Sequence, residues 1–375
     1  MHRSLAPVRL ESETVVDERR IDSPAATEIY LTVTSRAGTA KRQAEEIYSA
    51  IAARLHDAGA HIVSERLFAS GDAMAIALET RYQIYGPLND GVRPTLLLSR
   101  DVNHEIAGVQ LHAIAGIDKP KILYHTARQF DSGDRHYLTA SGLCAPRHAT
   151  GAAQTTAAFH QAQTLLAHAG ASMQDVARTW IWMDDILSWY PDLNRARTDF
   201  FKQCGLLSSP GQLPASTGIG ISPARGKVAI DLFAAWGTSN TVTRFHSAGH
   251  QRSAYEYGSA FARAARVLTP AGPTIFFSGT AAIDAAGATC FVNDIPGQID
   301  MTLENIQAVL GDLSCDENSV LHALAYCKNR EVVNCFNTRF RPKLNWPCLT
   351  LVADVCRDDL LFEVEVTASP NTIAS

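Results

Sequence analysis

The sequence has no cysteine pair at CxxC spacing, no histidine at zinc-finger spacing, no excess of positive charge, and no apolar run of the ~18 residues that a membrane-spanning helix needs. Each absence removes a class of protein. The eight cysteines (Cys144, Cys204, Cys290, Cys315, Cys327, Cys335, Cys348 and Cys356) are scattered, which suits reduced thiols in the cytoplasm rather than a disulfide framework or a zinc site. No metal-ligand set and no cofactor motif is assigned. A net charge of −5 argues against counterion-driven binding to nucleic acid or to an anionic membrane, while leaving room for a local basic pocket that holds a small anion. Residues 1 to 27 carry Arg3, Arg9, Glu11, Glu13, Asp17, Glu18, Arg19 and Arg20 without the apolar centre of a signal peptide, and are expected to be a flexible leader.

What is present is ordinary globular material: 46% hydrophobic and 19% charged residues over 375 positions, enough for two or three domains. Ile29 to Thr34 is a β-branched run, and Ala44, Ile47, Ile51 and Leu55 share one face of a helix predicted over 40–58. With a strand over 60–68, this makes a β-α-β piece within an N-terminal β/α region, 28–125.

The rest of the chain repeats itself. One stretch runs from Leu138–Gly142 through helices over 154–169 and 193–204, with a strand over 176–183 between them, to Leu213–Gly220 and a strand over 228–235. A second runs from Ile275–Gly279 through the corresponding segments to Trp346–Thr350 and Leu361–Ala368. Gly142 to Gly279, Pro214 to Pro347 and Asp231 to Glu363 lie 137, 133 and 132 residues apart. That spacing suits a duplicated domain rather than a solenoid. Two copies of β-β-α-β-α-β-β follow, an α+β architecture of mixed sheets with helices on one face and the other face free for a partner copy or a ligand.

Ser278-Gly279-Thr280, Gln298 with Met301–Ile306, Asn337 with Phe340, Pro347 and Glu363-Val364-Glu365 together resemble the RidA/YjgF family, in two copies over about 135–370. The resemblance implies tandem chorismate-mutase-like β/α units, a degenerate first domain over 126–245 and a second over 246–375 that carries the catalytic acid. Simple members are enamine and imine hydrolases with an Arg two residues beyond the Pro; Leu349 and Ser216 stand there in this chain, and neither can grip a carboxylate bidentately. Closer in pattern is the two-copy chorismatase branch, which Leu213–Ile219, Tyr255–Arg263, Ser278–Ala281 and Ala353–Glu363 resemble. That branch implies removal of pyruvate from chorismate, a small anionic substrate, and a homo-oligomer, a trimer or its pseudo-trimeric equivalent. In it the Glu of the last motif resembles a general acid, and a Cys seven residues earlier, here Cys356, marks the subgroup that forms 3-hydroxybenzoate. An imine hydrolase or other biosynthetic member, and a non-enzymatic metabolite binder, are the alternatives.

Strand periodicity sends Phe362, Val364 and Val366 to one face and Glu363, Glu365 and Thr367 to the other. An enol ether must be protonated at its methylene carbon. A carboxyl desolvated in an apolar cleft keeps its proton for that task, and Glu363 is the candidate, with Glu365 in reserve. Cys356 is either a small buried hydrophobe or a pocket residue. Arg263 is the foremost expected carboxylate partner, with Tyr255 and Tyr257 as donors; Arg357 and Arg266 rank below it. Ser216, Thr217 and Gly218, with Gly279, Thr280 and Ala281, supply small pocket walls. Trp180, Trp182 and Trp189 are expected in core and interface.

Overall fold

The computed structural model describes residues 14–100, 105–207, 210–237, 241–249 and 260–370. Helix α1 (Ala40–Ala58) shows how local chemistry sets the elements. Thr39 caps it by accepting from the Arg42 amide, its apolar stripe is buried, and Gly59 closes it at φ +60. It lies in a first unit with strands β1 (Thr14–Asp22), β2 (Thr27–Ser35), β3 (His61–Ala69), β4 (Thr95–Leu98) and β5 (Ile106–Ala115), and a second helix α2 (Gly71–Tyr85). The sheet order is β1-β2-β5-β3-β4, with only the β3–β4 pair parallel.

One expectation changes here, and one element was not anticipated. Residues 14–22, read in part as a flexible leader, form an edge strand against β2 whose charged residues Asp17, Glu18, Arg19 and Arg20 suit an edge; residues 1–13 lie outside the described set. Helix α2 went unseen because its buried face includes Thr80 and Arg81, which breaks the apolar stripe. Arg81 is fully buried in a forked pair with Glu65, at 2.7 and 2.9 Å.

The second unit contains β6 (Lys121–Leu123), β7 (Ala127–Ser132), β8 (Arg135–Leu143), α3 (Gly151–His168), β9 (Val176–Met183), α4 (Ile186–Gln203), β10 (Ala215–Ile219) and β11 (Val228–Trp236). The third contains β12 (Val242–Phe245), β13 (Ala264–Thr269), β14 (Gly272–Phe277), β15 (Thr280–Ala281), α5 (Ile295–Asp312), β16 (Val320–Cys327), α6 (Arg330–Cys335), β17 (Cys348–Val352) and β18 (Phe362–Ala368). Their orders, β7-β8-β11-β9-β10 and β13-β14-β18-β16-β17, repeat that of the first unit, with β6 and β12 added at the edges and β15 paired to β18. The strand pattern found twice in the sequence therefore occurs three times. Helix α4 begins at Ile186, ahead of the expected start, and absorbs Pro191 through a non-helical Trp189. After α6 the chain continues as a π-turn over Phe336–Phe340.

Each sheet packs one face on its own helices in a separate core. The opposite faces meet in a central core drawn from all three units, including Phe68, Trp180, Trp182, Phe276 and Tyr326. Trp189 belongs instead to the helix-side core of the second unit. Unit two joins unit three through Gly220, whose amide donates to the Asp354 carbonyl at 2.8 Å. The ladders also correct the repeat: Asp231 lies opposite Trp180, the fifth residue of β9, and Glu365 lies opposite Leu324, the fifth of β16. Asp231 thus corresponds to Glu365, not to Glu363. No described helix is long and apolar enough to cross a membrane.

Candidate active site

Where units two and three meet, a cavity of 230 Å³ is lined by β10 and α4 of one and by β15, β18 and the segment after β17 of the other. Strand alternation delivers the acid. Phe362, Val364 and Val366 enter the helix-side core of unit three, so Glu363 and Glu365 emerge on the far face.

The two carboxylates meet different surroundings. Glu365 accepts from Arg178 Nη2 at 2.8 Å and from Trp180 Nε1 at 3.0 Å, a closed ion pair across the unit boundary. Glu363 lines the cavity and is 6% exposed, and its carboxyl makes no hydrogen bond among the described residues. Burial pushes its carboxyl up to about 8; the Glu365 charge adds to the rise, and Arg178 and Arg263 oppose it. An acid in this state keeps its proton at neutral pH.

Of the residues expected at the site, Glu363, Cys356, Arg263, Arg357, Ser216, Thr217, Gly218, Gly279 and Ala281 all line this cavity. Thr280 does not: between Gly279 and Ala281 on a strand it points the other way, and its hydroxyl donates to the Ser278 carbonyl. Tyr255 and Tyr257 lie outside the described residues. Thr217 Oγ1 accepts from the Gly279 amide at 3.0 Å and from Arg178 Nη2 at 2.5 Å, which ties the two glycine-bearing walls together. Arg357 is anchored by donation to the Gly287 carbonyl at 2.9 Å. Burial, then the Glu363 charge, push the Cys356 thiol up to about 12, so it is a neutral thiol and no nucleophile. Arg266 lies on β13, exposed and outside the cavity lining.

Sequence reasoning missed Tyr190, Asn194 and Arg197, which occupy one face of α4 at i, i+4 and i+7 and all line the cavity. That spacing is the signal that could have revealed them. Arg197 is the most informative. It is 1% exposed, donates to Asn194 Oδ1 at 2.7 Å, stands 5.9 Å from the Phe261 ring and, among the described residues, pairs with no carboxylate and leaves its buried Nε without a partner. A desolvated guanidinium left incomplete beside a cavity has the charge and the free donor that an anion would need. Among the described residues no cluster of three or more His, Cys, Asp or Glu could hold a metal ion.

No family model matches the chain. A 3-hydroxybenzoate synthase from Streptomyces hygroscopicus is 31% identical over 249 residues, spanning 56% of this chain and 68% of the relative. Among solved structures, a chorismatase superposes with a TM-score of 0.61 at 21% identity, covering 75% of this chain and 88% of the other, and shares the fold. A YjgF-family protein from Mycobacterium tuberculosis, 23% identical, covers 28% of this chain and 82% of its own length with a TM-score of 0.23.

Proposed function

Because the chain belongs to the chorismatase-type family of its 3-hydroxybenzoate synthase relative, built on the RidA/YjgF-like fold, we propose that it releases pyruvate from chorismate or a closely related enol ether. The observation that carries this reading is the pairing, in one cavity, of an unpaired buried carboxyl raised to about 8 with the guanidinium groups of Arg197, Arg263 and Arg357. Chorismate brings two carboxylates, and desolvating a dianion requires cations of this kind.

Glu363 delivers its proton to the methylene carbon of the enolpyruvyl group, generating an oxocarbenium ion next to the ether oxygen. The carboxylate left behind is stabilised by Arg178 and Arg263, which already favour its ionised form. Collapse of the cation, by capture of water or of a ring hydroxyl, frees pyruvate. Cys356 lines the same cavity as Glu363 and is a small neutral wall; its place seven residues before the acid supports the 3-hydroxybenzoate outcome. An imine hydrolase would grip its substrate from the second position after the proline. There Leu349 is core and Ser216 hydrogen-bonds within the protein.

The test is product analysis. Chorismate incubated with the purified chain is expected to give pyruvate, read with lactate dehydrogenase, in equal amount with 3-hydroxybenzoate, read by mass and chromatography. A dihydroxylated cyclohexadiene product in place of 3-hydroxybenzoate would keep the pyruvate-releasing chemistry and overturn the subtype; absence of pyruvate would overturn both.

A further inference from the structure

The boundary between units one and two holds a second cavity, larger than the first at 550 Å³. The ladders show that it occupies the equivalent place in the repeat. Ala229 lies opposite Trp182, the seventh residue of β9, as Glu363 lies opposite Tyr326, the seventh of β16. The Ser141 amide donates to the Thr126 carbonyl as the Ser278 amide donates to Arg263, so Thr126 stands in the place of Arg263. The Leu98 amide donates to Ser222 as the Gly220 amide donates to Asp354; three residues further on, Arg225 matches Arg357. Ala229, Thr126, Gly142 and Arg225 all line the second cavity.

This cleft has therefore lost the acid, exchanged for Ala229, and kept a cation. The nearby Asp231 cannot replace the acid, because its oxygens accept from Thr95, the Gly142 amide, Trp182 and Arg66, the last at 3.0 Å. No Asp or Glu is among the lining residues, whereas Arg93 from unit one and Arg225 from unit two are, and neither pairs with a carboxylate among the described residues. Pro94, Leu96, Leu143 and Pro223 give the same lining an apolar share, beside the polar Thr95, His125, Ser141 and Gln161. The volume falls within the roughly 300–1,000 Å³ typical of small-molecule sites.

We infer that the cleft between units one and two is a second, non-catalytic binding site for a small cyclic carboxylate, its ring on the apolar part of the lining and its anion on Arg93 and Arg225. The inference concerns binding at a different cavity and stands apart from the reaction proposed above. Its test is isothermal titration with benzoate, and with benzamide as the neutral control, of the parent, Arg263→Ala and the double variant Arg93→Ala/Arg225→Ala. Both substituted arginines of the double variant are exposed, so the fold is retained. The expected result is a class of benzoate binding that survives Arg263→Ala, weakens by about tenfold or more in the double variant, and is missing with benzamide. Benzoate binding that disappears in Arg263→Ala and persists in the double variant would overturn the proposal, as would the lack of any benzoate binding to the parent, or equal binding of benzamide.

Discussion

A Cβ placed on Gly279 would stand 2.0 Å from Glu363 Oε1. The glycine is thus the wall against which the carboxyl rests, and only the lack of a side chain there lets the acid sit where it does. Gly279→Ala must push the carboxyl aside. Since a misplacement of about 1 Å at a reacting group costs on the order of 10²-fold, turnover is expected to fall by about that factor with the near-ultraviolet circular dichroism unchanged. Full activity would mean that Glu363 tolerates displacement and is not aimed at substrate.

Glu365 lends Glu363 part of its raised pKa through like-charge repulsion. Glu365→Gln keeps a polar partner for Arg178 and Trp180 while removing that charge, so the Glu363 pKa falls. The alkaline fall in kcat/KM, expected near the value of about 8 in the parent, should move to lower pH in the variant. An unmoved or upward-moved limb would show that the two carboxyls are not electrostatically coupled in the working enzyme.

Arg197 and Arg263 supply buried cations to the cavity. Replacing either with Ala is expected to raise KM for an anionic substrate by several-fold to a few hundred-fold, roughly the range for a lost charge-assisted contact. Steady-state kinetics decide the point. Unchanged KM and kcat in Arg197→Ala would return that residue to a structural role on α4.

Cys356 is a neutral wall residue, not a nucleophile. Cys356→Ala is accordingly expected to retain chorismate turnover within about tenfold while shifting the ratio of products, measured by chromatography. Complete loss of turnover with the fold intact would contradict this and point to covalent chemistry.

Much of the site was legible because strand periodicity and short motifs are local properties. The alternation of Phe362, Glu363, Val364 and Glu365 already assigned the acids to the face opposite the helices, and small residues at Gly218 and Gly279 already marked pocket walls. What escaped depended on contacts made far along the chain. Nothing in the spacing distinguishes Glu363 from Glu365; the difference is Arg178 and Trp180, 187 and 185 residues distant, which close on one carboxylate and leave the other. Arg197 reads as one more surface cation on an amphipathic helix until unit three covers it. The third copy of the strand order was hidden for a related reason. In unit one Gly108 occupies the ladder position of Glu363, where a Cβ would lie 3.0 Å from Leu349, so the acid is gone, and Gln43, which accepts from the Ile106 amide as Gln298 accepts from that of Leu361, is too little to reveal a copy by spacing.

The most direct test of the account is chorismate turnover by Glu363→Gln beside the parent, followed as pyruvate release across pH. The amide keeps the size and polarity of the acid but has no proton to give. The expected result is a loss of roughly 10² to 10⁴ in kcat with substrate binding retained, while the parent rate declines as pH rises through about 8, where its acid ionises. Turnover of chorismate by Glu363→Gln as fast as by the parent would contradict the assignment of Glu363 as the acid.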